Sequence, residues 1–384
     1  MRVAVVHHWF VSQGGGERVA EVLAQMYPAA DLFTLVANPE WVPHSLRHRS
    51  LQASFLNRIP FASRIYRHLL PLYPMAVEQI DLSGYDLVLT SDSGPMKGTI
   101  VSPSAVHICY CHSPMRYLWD QYHEYCKSMG RTSRAVFSLS ARYVRSWDQR
   151  AAQQVTQFVA NSNYVASRIR QCYGRDSTVL YPPVDTSSGY IASTPGNAYL
   201  TIGRLVSYKR TDLLIQACNM LGRELRIIGT GPEEARLRSQ AGKTIKFLGN
   251  VNEATLWEEY AHCRAFLFAA EEDFGMAVVE AQACGRPVIA FGKGGALETV
   301  ESLDSTALSS EDTGVLFYQQ TARAVAEAIL RFEASEFCFQ PHMIRERATR
   351  FSVDTFRQSF RNLVDGALGL PSYARDLRDF EVCL

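Results

Sequence analysis

The chain has 384 residues, 47% of them hydrophobic and 20% charged, with a formal net charge of +1. That length exceeds one ordinary core and suits two domains of about 150 to 200 residues. The composition is globular, and a charge so near zero gives no support to a bulk nucleic-acid binder. Nine cysteines are scattered with no CxxC pair. This argues for reduced thiols in a cytoplasmic setting, and against a disulfide framework or a metal site. The N-terminus runs directly into an apolar strand without a signal-peptide pattern, and no segment reaches the roughly 18 apolar residues that cross a bilayer.

Residues 3–6 read as a buried parallel strand, followed by a glycine-rich turn and a helix over 17–26. Further strands are expected at 32–36, 86–90, 106–110, 157–160 and 178–181, the last running into Pro182-Pro183. Between Trp41 and Val77 there is no acidic residue but there are five arginines, Arg47, Arg49, Arg58, Arg64 and Arg67, interleaved with apolar and aromatic side chains. Two readings stand for that stretch: a basic face on an anionic membrane surface, or a helix pair with a solvated arginine face. After the polar residues 185–197 a second cycle begins. It has strands at 199–202, 224–228, 245–248, 265–268, 287–291 and 313–317, and helices at 212–220, 257–261 and 321–332. Short apolar strands alternating with helices indicate βα units and parallel sheets. Two such sets predict an α/β protein of two Rossmann-like domains, 1–185 and 196–368, facing each other across a cleft. The last helix, over 354–368, suits either domain, and the tail 370–384 is expected to return to the first.

The chemistry-bearing residues fall at strand ends, where open parallel sheets bind ligands. Arg204 and Lys209 follow the first strand of the second cycle in G-R-L-V-S-Y-K, behind Gly203. A guanidinium fork and a lysine charge suit the two phosphates of a diphosphate, and would stabilise it as a leaving group. Gly229 and Gly231 follow the next strand, where exposed backbone N–H groups are expected beside the phosphates. Asn250 and Val251 follow the third, where a base is expected. Gly15 and Gly16, in the run Gly14–Gly16, fit neither G-x-G-x-x-G nor a P-loop, but let a substrate approach the backbone. His112 stands in Y-C-H-S-P-M-R-Y-L-W-D, placed for a sugar hydroxyl, with Arg116, Tyr117, Trp119 and Asp120 expected to line the acceptor side. His7 and His8 also follow a strand. Glu272 and Glu280 flank Phe274, Gly275 and Met276 in E-D-F-G-M-A-V-V-E, where a helix start adds backbone donors. Taken singly, each is also an ordinary feature: a basic loop, a βα turn, two surface carboxylates.

Together, G-R-L-x-x-x-K, the E-x7-E pair, the His112 segment, Gly14–Gly16 and A-C-G-x-P-V at 283–288 resemble the family 4 glycosyltransferases over nearly the full length. The resemblance implies a GT-B fold, an acceptor-side first domain, a donor-nucleotide-binding second domain and transfer with retention. It implies that Arg204 and Lys209 bind the donor diphosphate, Glu280 the ribose, Glu272 the hexose and His112 the donor sugar. Asp273 departs from the family's usual glycine after the first glutamate. The His112 segment is similar to that of bacterial O-antigen and exopolysaccharide mannosyltransferases. That likeness implies GDP-mannose as donor, a polyprenyl-diphosphate-linked glycan as acceptor, and work at the inner face of the plasma membrane. With no D-x-D motif at a strand end and two cations to take its role, no metal is expected, and the near-zero charge speaks against nucleic acid. A UDP-sugar donor, a sugar-nucleotide 2-epimerase and a non-catalytic scaffold stand as alternatives.

Overall fold

The computed structural model describes residues 1–12, 14–127, 129–302 and 312–370. The described chain divides into two compact units: Met1–Pro183 together with the last helix from Phe356, and Val184–Thr355. The expected return of 370–384 falls almost wholly outside the described residues.

The first unit contains β1 (Val3–Phe10), β2 (Asp31–Ala37), β3 (Leu51–Ala53), β4 (Asp81–Leu82), β5 (Leu87–Asp92), β6 (Ile100–Val101), β7 (Val106–Cys111), β8 (Gln157–Ala160) and β9 (Ser177–Val179). Seven of these form one sheet in the order β3-β2-β1-β5-β7-β8-β9, with every pairing parallel, while β4 and β6 pair apart from it. The central strands are apolar runs because both faces are covered: Val88, Leu89, Ile108 and Val159 are all fully buried. The 24-residue helix Arg131–Gln154, absent from the sequence expectation, covers part of this sheet through Ala141, Val144, Trp147 and Ala151.

The second unit contains β10 (Tyr199–Ile202), β11 (Leu225–Ile228), β12 (Ile245–Gly249), β13 (Phe266–Phe268), β14 (Val288–Phe291) and β15 (Gly314–Phe317), ordered β12-β11-β10-β13-β14-β15 and all parallel. Both sheets therefore show the doubly wound order, which reverses between β1 and β5 in one and between β10 and β13 in the other. Each reversal opens a crevice at the carboxyl ends of the strands, the usual place for a ligand.

The body of the last helix, Val353–Ala367, packs with the first unit, not at the end of the second. Phe356 meets Tyr110 edge-on at 5.7 Å, and Arg357 donates to Gln25 at 2.9 Å. The stretch 41–77 is a chain of short helical turns, not a helix pair. Arg47 there donates to the carbonyls of Val42 and Glu40, and Arg49 to those of Ala24 and Ala30, whereas Arg58, Arg64 and Arg67 are exposed beside Phe61, itself 72% exposed.

Candidate active site

In the second unit the reversal between β10 and β13 forms a pocket lined by Gly203, Arg204, Leu205, Lys209, Phe268 and Ala270, among others. β10 delivers Gly203 and Arg204 directly, and a single 3-10 turn, Ser207–Lys209, delivers the lysine. The next residue, Arg210, has φ 52°, a left-handed conformation rare outside glycine, and its side chain reaches Asp212. Strain of this kind gathers where a turn has to aim a side chain. Arg204 is exposed and makes no ion pair among the described residues. Lys209 is ion-paired with Glu272, both side chains about one-fifth exposed. The structure thus joins two site residues that lie 63 positions apart in the chain.

Gly229 serves this pocket differently from the sequence expectation. The N–H of Gly229 is spent on the carbonyl of Gly249 at 2.8 Å, so it is not an open phosphate donor. The reason for glycine is close approach. A Cβ at Gly229 would strike the Gly203 carbonyl, and one at Gly231 the Leu205 carbonyl. Gly203 N–H donates to Ile228 at 3.0 Å and Leu205 N–H to Thr230 at 2.9 Å. The β11 turn is therefore the bed on which the Arg204 loop lies. Asn250 is exposed just past β12, 3.5 Å from the Thr230 hydroxyl, with Val251 half-buried beside it.

The Glu272 loop is held in the same way. Glu272 and Gly294 form a parallel bridge, and Gly295 N–H donates to the Glu272 carbonyl at 2.8 Å. Phe274 is buried edge-on to Phe351 at 5.4 Å. Gly275, at φ 89°, then turns the chain into the helix Met276–Ala283, whose first N–H groups have no acceptor within the helix. Glu280 lies in this helix and accepts a hydrogen bond from the Tyr260 hydroxyl at 2.7 Å. Tyr260, fully buried, is a site residue absent from the sequence reading. Nothing in its local sequence marks it, because its partner is 20 residues away. Gly295→Ala is expected to cost about 1–3 kcal/mol, because its Cβ would overlap the Phe274 backbone. Urea unfolding measures the loss, and an unchanged midpoint would show that the loop yields freely.

In the first unit the reversal between β1 and β5 gathers His7, His8, Ser91 and His112. Ring centroids of His7 and His8 are 4.1 Å apart, and those of His7 and His112 are 6.4 Å apart. His112 Nε2 lies 2.8 Å from Ser91 Oγ, and Asn161 holds the His112 carbonyl at 3.1 Å. Gly16, in the first turn of the helix Gly15–Met26, borders all three imidazoles: a Cβ there would lie 3.5–3.6 Å from each. Burial and its imidazole neighbours hold the His7 ring well below the usual histidine range, and burial with His8 beside it pushes His112 down to about 3. Burial also raises the Glu17 carboxyl, next to Gly16, to about 7.

The residues after His112 are well occupied. Arg116 and Arg168 both contact Asp120, at 3.4 and 2.6 Å. The Tyr117 hydroxyl donates to the Met115 sulfur at 3.1 Å. Trp119 Nε1 donates to Asp148 at 3.0 Å, within a buried network where Lys97 sits 2.5 Å from Asp148 and 3.7 Å from Asp92. The two carboxylates overcome burial and raise the Lys97 pKa above the ordinary lysine value. That network is a support beneath the segment. Among the described residues, no group of three or more His, Cys, Asp or Glu is placed to hold a metal ion, and no helix is long and apolar enough to cross a membrane.

Residues 13–188 match the model of Glycosyltransferase Family 4, and residues 191–351 that of Glycosyl transferases group 1. The chain is related to both families and has the GT-B fold. It is 33% identical over 129 residues to a GDP-mannose-dependent monoacylated alpha-(1-6)-phosphatidylinositol monomannoside mannosyltransferase of Corynebacterium glutamicum, covering 29% of this chain and 34% of that one. It is 26% identical over 219 residues to a D-inositol 3-phosphate glycosyltransferase of Kineococcus radiotolerans, covering 47% and 50%. The alignments thus span a third to a half of these curated relatives. Among solved structures, the fold of this GT-B chain resembles Anabaena HepE in complex with UDP, with a TM-score of 0.70 at 17% identity over 95% of this chain and all of that one. It also resembles the sucrose-phosphate synthase of Thermosynechococcus elongatus, with a TM-score of 0.71 at 18% identity over 96% of this chain and all of that one.

Proposed function

We propose that the enzyme takes a hexose from a nucleoside-diphosphate sugar and transfers it, with retention, to a lipid-diphosphate-linked oligosaccharide in cell-surface polysaccharide synthesis. The observation that carries this is the β10–β13 pocket, where exposed Arg204 and the Lys209–Glu272 pair stand together. Arg204 and Lys209 grip the diphosphate and meet the negative charge that grows on it as the glycosidic bond breaks. Glu272, released from Lys209 by the diphosphate, orients the hexose and faces the developing positive charge on its ring. Glu280 accepts from the ribose hydroxyls while Tyr260 fixes its rotamer, and Asn250 and Val251 border the base. Gly15, Gly16 and His112 serve the sugar. Arg116, Tyr117, Trp119 and Asp120 belong to the acceptor side. The leaving diphosphate takes the acceptor's proton on the same face, and no metal takes part.

A UDP-linked sugar is the preferred donor in this proposal. The support is Anabaena HepE, solved with UDP and with UDP-glucose, which this chain resembles along its length. GDP-mannose is the second reading, favoured by the 33% identical mannosyltransferase and by the Y-C-H-S-P-M-R-Y-L-W-D segment. Calorimetric titration with UDP-glucose, UDP-N-acetylglucosamine and GDP-mannose separates the two. The expected result is selective binding of one UDP-sugar, and binding of none of them would overturn the enzyme's proposed activity.

The acceptor places the enzyme on the cytoplasmic face of the membrane. The exposed Arg58, Arg64 and Arg67 beside Phe61 supply charge and an apolar anchor for an anionic surface. Each arginine near such a surface is worth about 1 kcal/mol. Exchanging all three for glutamate is expected to lower partitioning onto anionic liposomes by at least about a hundredfold. Unchanged partitioning would remove the membrane from the proposal.

A further inference from the structure

β1 and β5 run parallel with His7 opposite Ser91, and this register sets up a chain of hydrogen bonds whose first directions are fixed by the Ser91 carbonyl. His7 Nδ1 lies 2.9 Å from the Ser91 carbonyl oxygen, and His8 Nδ1 lies 3.2 Å from the same atom. A carbonyl oxygen only accepts, so both rings carry a proton on Nδ1. His8 Nε2 is then a lone pair that accepts from the Ser93 hydroxyl at 3.2 Å. His7 Nε2 is buried without a partner, which suits a lone pair better than a second N–H.

The His7 Nδ1–H also reaches Ser91 Oγ at 3.1 Å, so that oxygen accepts from His7 and keeps its own hydrogen to give. Two acceptors are in range: His112 Nε2 at 2.8 Å and the Gly16 carbonyl at 3.4 Å. The shorter bond takes the proton. We infer that Ser91, oriented by His7, sets the tautomer of His112, leaving Nε2 as acceptor and placing the proton on Nδ1. His112 then offers a neutral N–H donor to an oxygen of the sugar. In the other tautomer the same atom would present a lone pair and take a hydroxyl hydrogen instead, so the serine decides what the ring can recognise. Ser91 is a positioning residue, fully buried and acting through His112. The downward shift of His112 agrees with a ring that stays neutral near pH 7. This inference rests on the proposed role of His112 at the sugar.

The test is histidine-selective nitrogen-15 labelling of the full chain and long-range proton–nitrogen correlation near neutral pH, with His112 assigned by its loss in His112→Gln. The expected wild-type pattern is a protonated Nδ1 and a bare Nε2. Ser91→Ala keeps the backbone carbonyl that serves His7 and His8. It is expected to move His112 toward the other tautomer and to lower kcat/KM for the preferred sugar nucleotide by about tenfold, leaving the affinity for UDP or GDP alone unchanged. Ser91→Thr, which keeps the hydroxyl, is expected to restore both readouts. A wild-type ring protonated on Nε2, or a Ser91→Ala spectrum identical to wild type, overturns the inference. If the wild type binds no sugar nucleotide, the proposed function fails, while the spectrum still decides the tautomer.

Discussion

Lys209→Ala is expected to lower kcat/KM for sugar transfer by about 100- to 1,000-fold, the usual loss when a charge-stabilising group is removed from a reacting centre. Two effects combine. In the proposed function the diphosphate loses one of two cations at the moment its charge grows, and Glu272 loses the partner that holds it at the pocket. The fold is expected to survive, because the Glu272 loop is held independently by its backbone bridge to Gly294 and the Gly295 N–H bond, and the carboxylate left behind still reaches solvent. Circular dichroism and the unfolding midpoint check the fold, and single-turnover assays check the chemistry. Near-normal turnover would remove Lys209 from the proposed machinery. Arg204→Ala is expected to act in the same direction, and mainly through donor affinity, because Arg204 has no ion-pair partner among the described residues to release.

Stability is expected to fall as pH drops from 7 to 5. His7, His8, His107 and His112 all have folded-state pKa values below the ordinary histidine value, with burial the largest cause in each. His107 is held at about 4 and His112 at about 3. Below about pH 6.5 the unfolded chain takes up protons on these rings that the folded chain refuses, so acid favours unfolding. Each fully suppressed ring costs about 2 kcal/mol between pH 6.5 and 5. Glu17 works the other way. Its folded value of about 7 lies above that of the unfolded chain, so its proton stabilises the fold as pH falls through that window. His107 and His112 alone outweigh the one carboxyl, and a net loss of stability follows. Urea midpoints measured from pH 8 to 5 test this, and a flat profile would contradict it. His107→Phe is expected to reduce the slope by about one proton, because that ring is fully buried.

Most strands were legible because parallel strands covered on both faces read as short apolar runs, and β8 and β10 match the expectation residue for residue. The helix Arg131–Gln154 was not, because its buried face is a narrow stripe in a polar, arginine-rich segment. β3, β4 and β6, of two or three residues, carry no periodicity to detect. The packing of Val353–Ala367 on the first unit depends on Tyr110, more than 240 residues earlier. Within the candidate site, Arg204, Lys209, Glu272 and Glu280 stood out by residue type and spacing, and the structure brings Lys209 to Glu272. Ser91 and Tyr260 did not. A serine at a strand end and a tyrosine in a helix are unremarkable until strand register or helix packing brings them to His112 and Glu280. The two β11 glycines were legible as special but not in their purpose, since the carbonyls they make room for belong to another loop.

In the proposed function, the Lys209–Glu272 pair also bears on which anions the site ignores. Free phosphate competing for Lys209 must displace a carboxylate tethered to the same protein, and it has no second group to reward the exchange. In the proposed function a sugar nucleotide brings a phosphate for the lysine, another for Arg204 and hydroxyls for the released glutamate. The resting site thus discriminates by valence: a ligand enters on the number of partners it satisfies at once. On the same proposal, the nucleotide left after transfer has lost the sugar that occupied Glu272, and the carboxylate reclaims its lysine and helps the product leave.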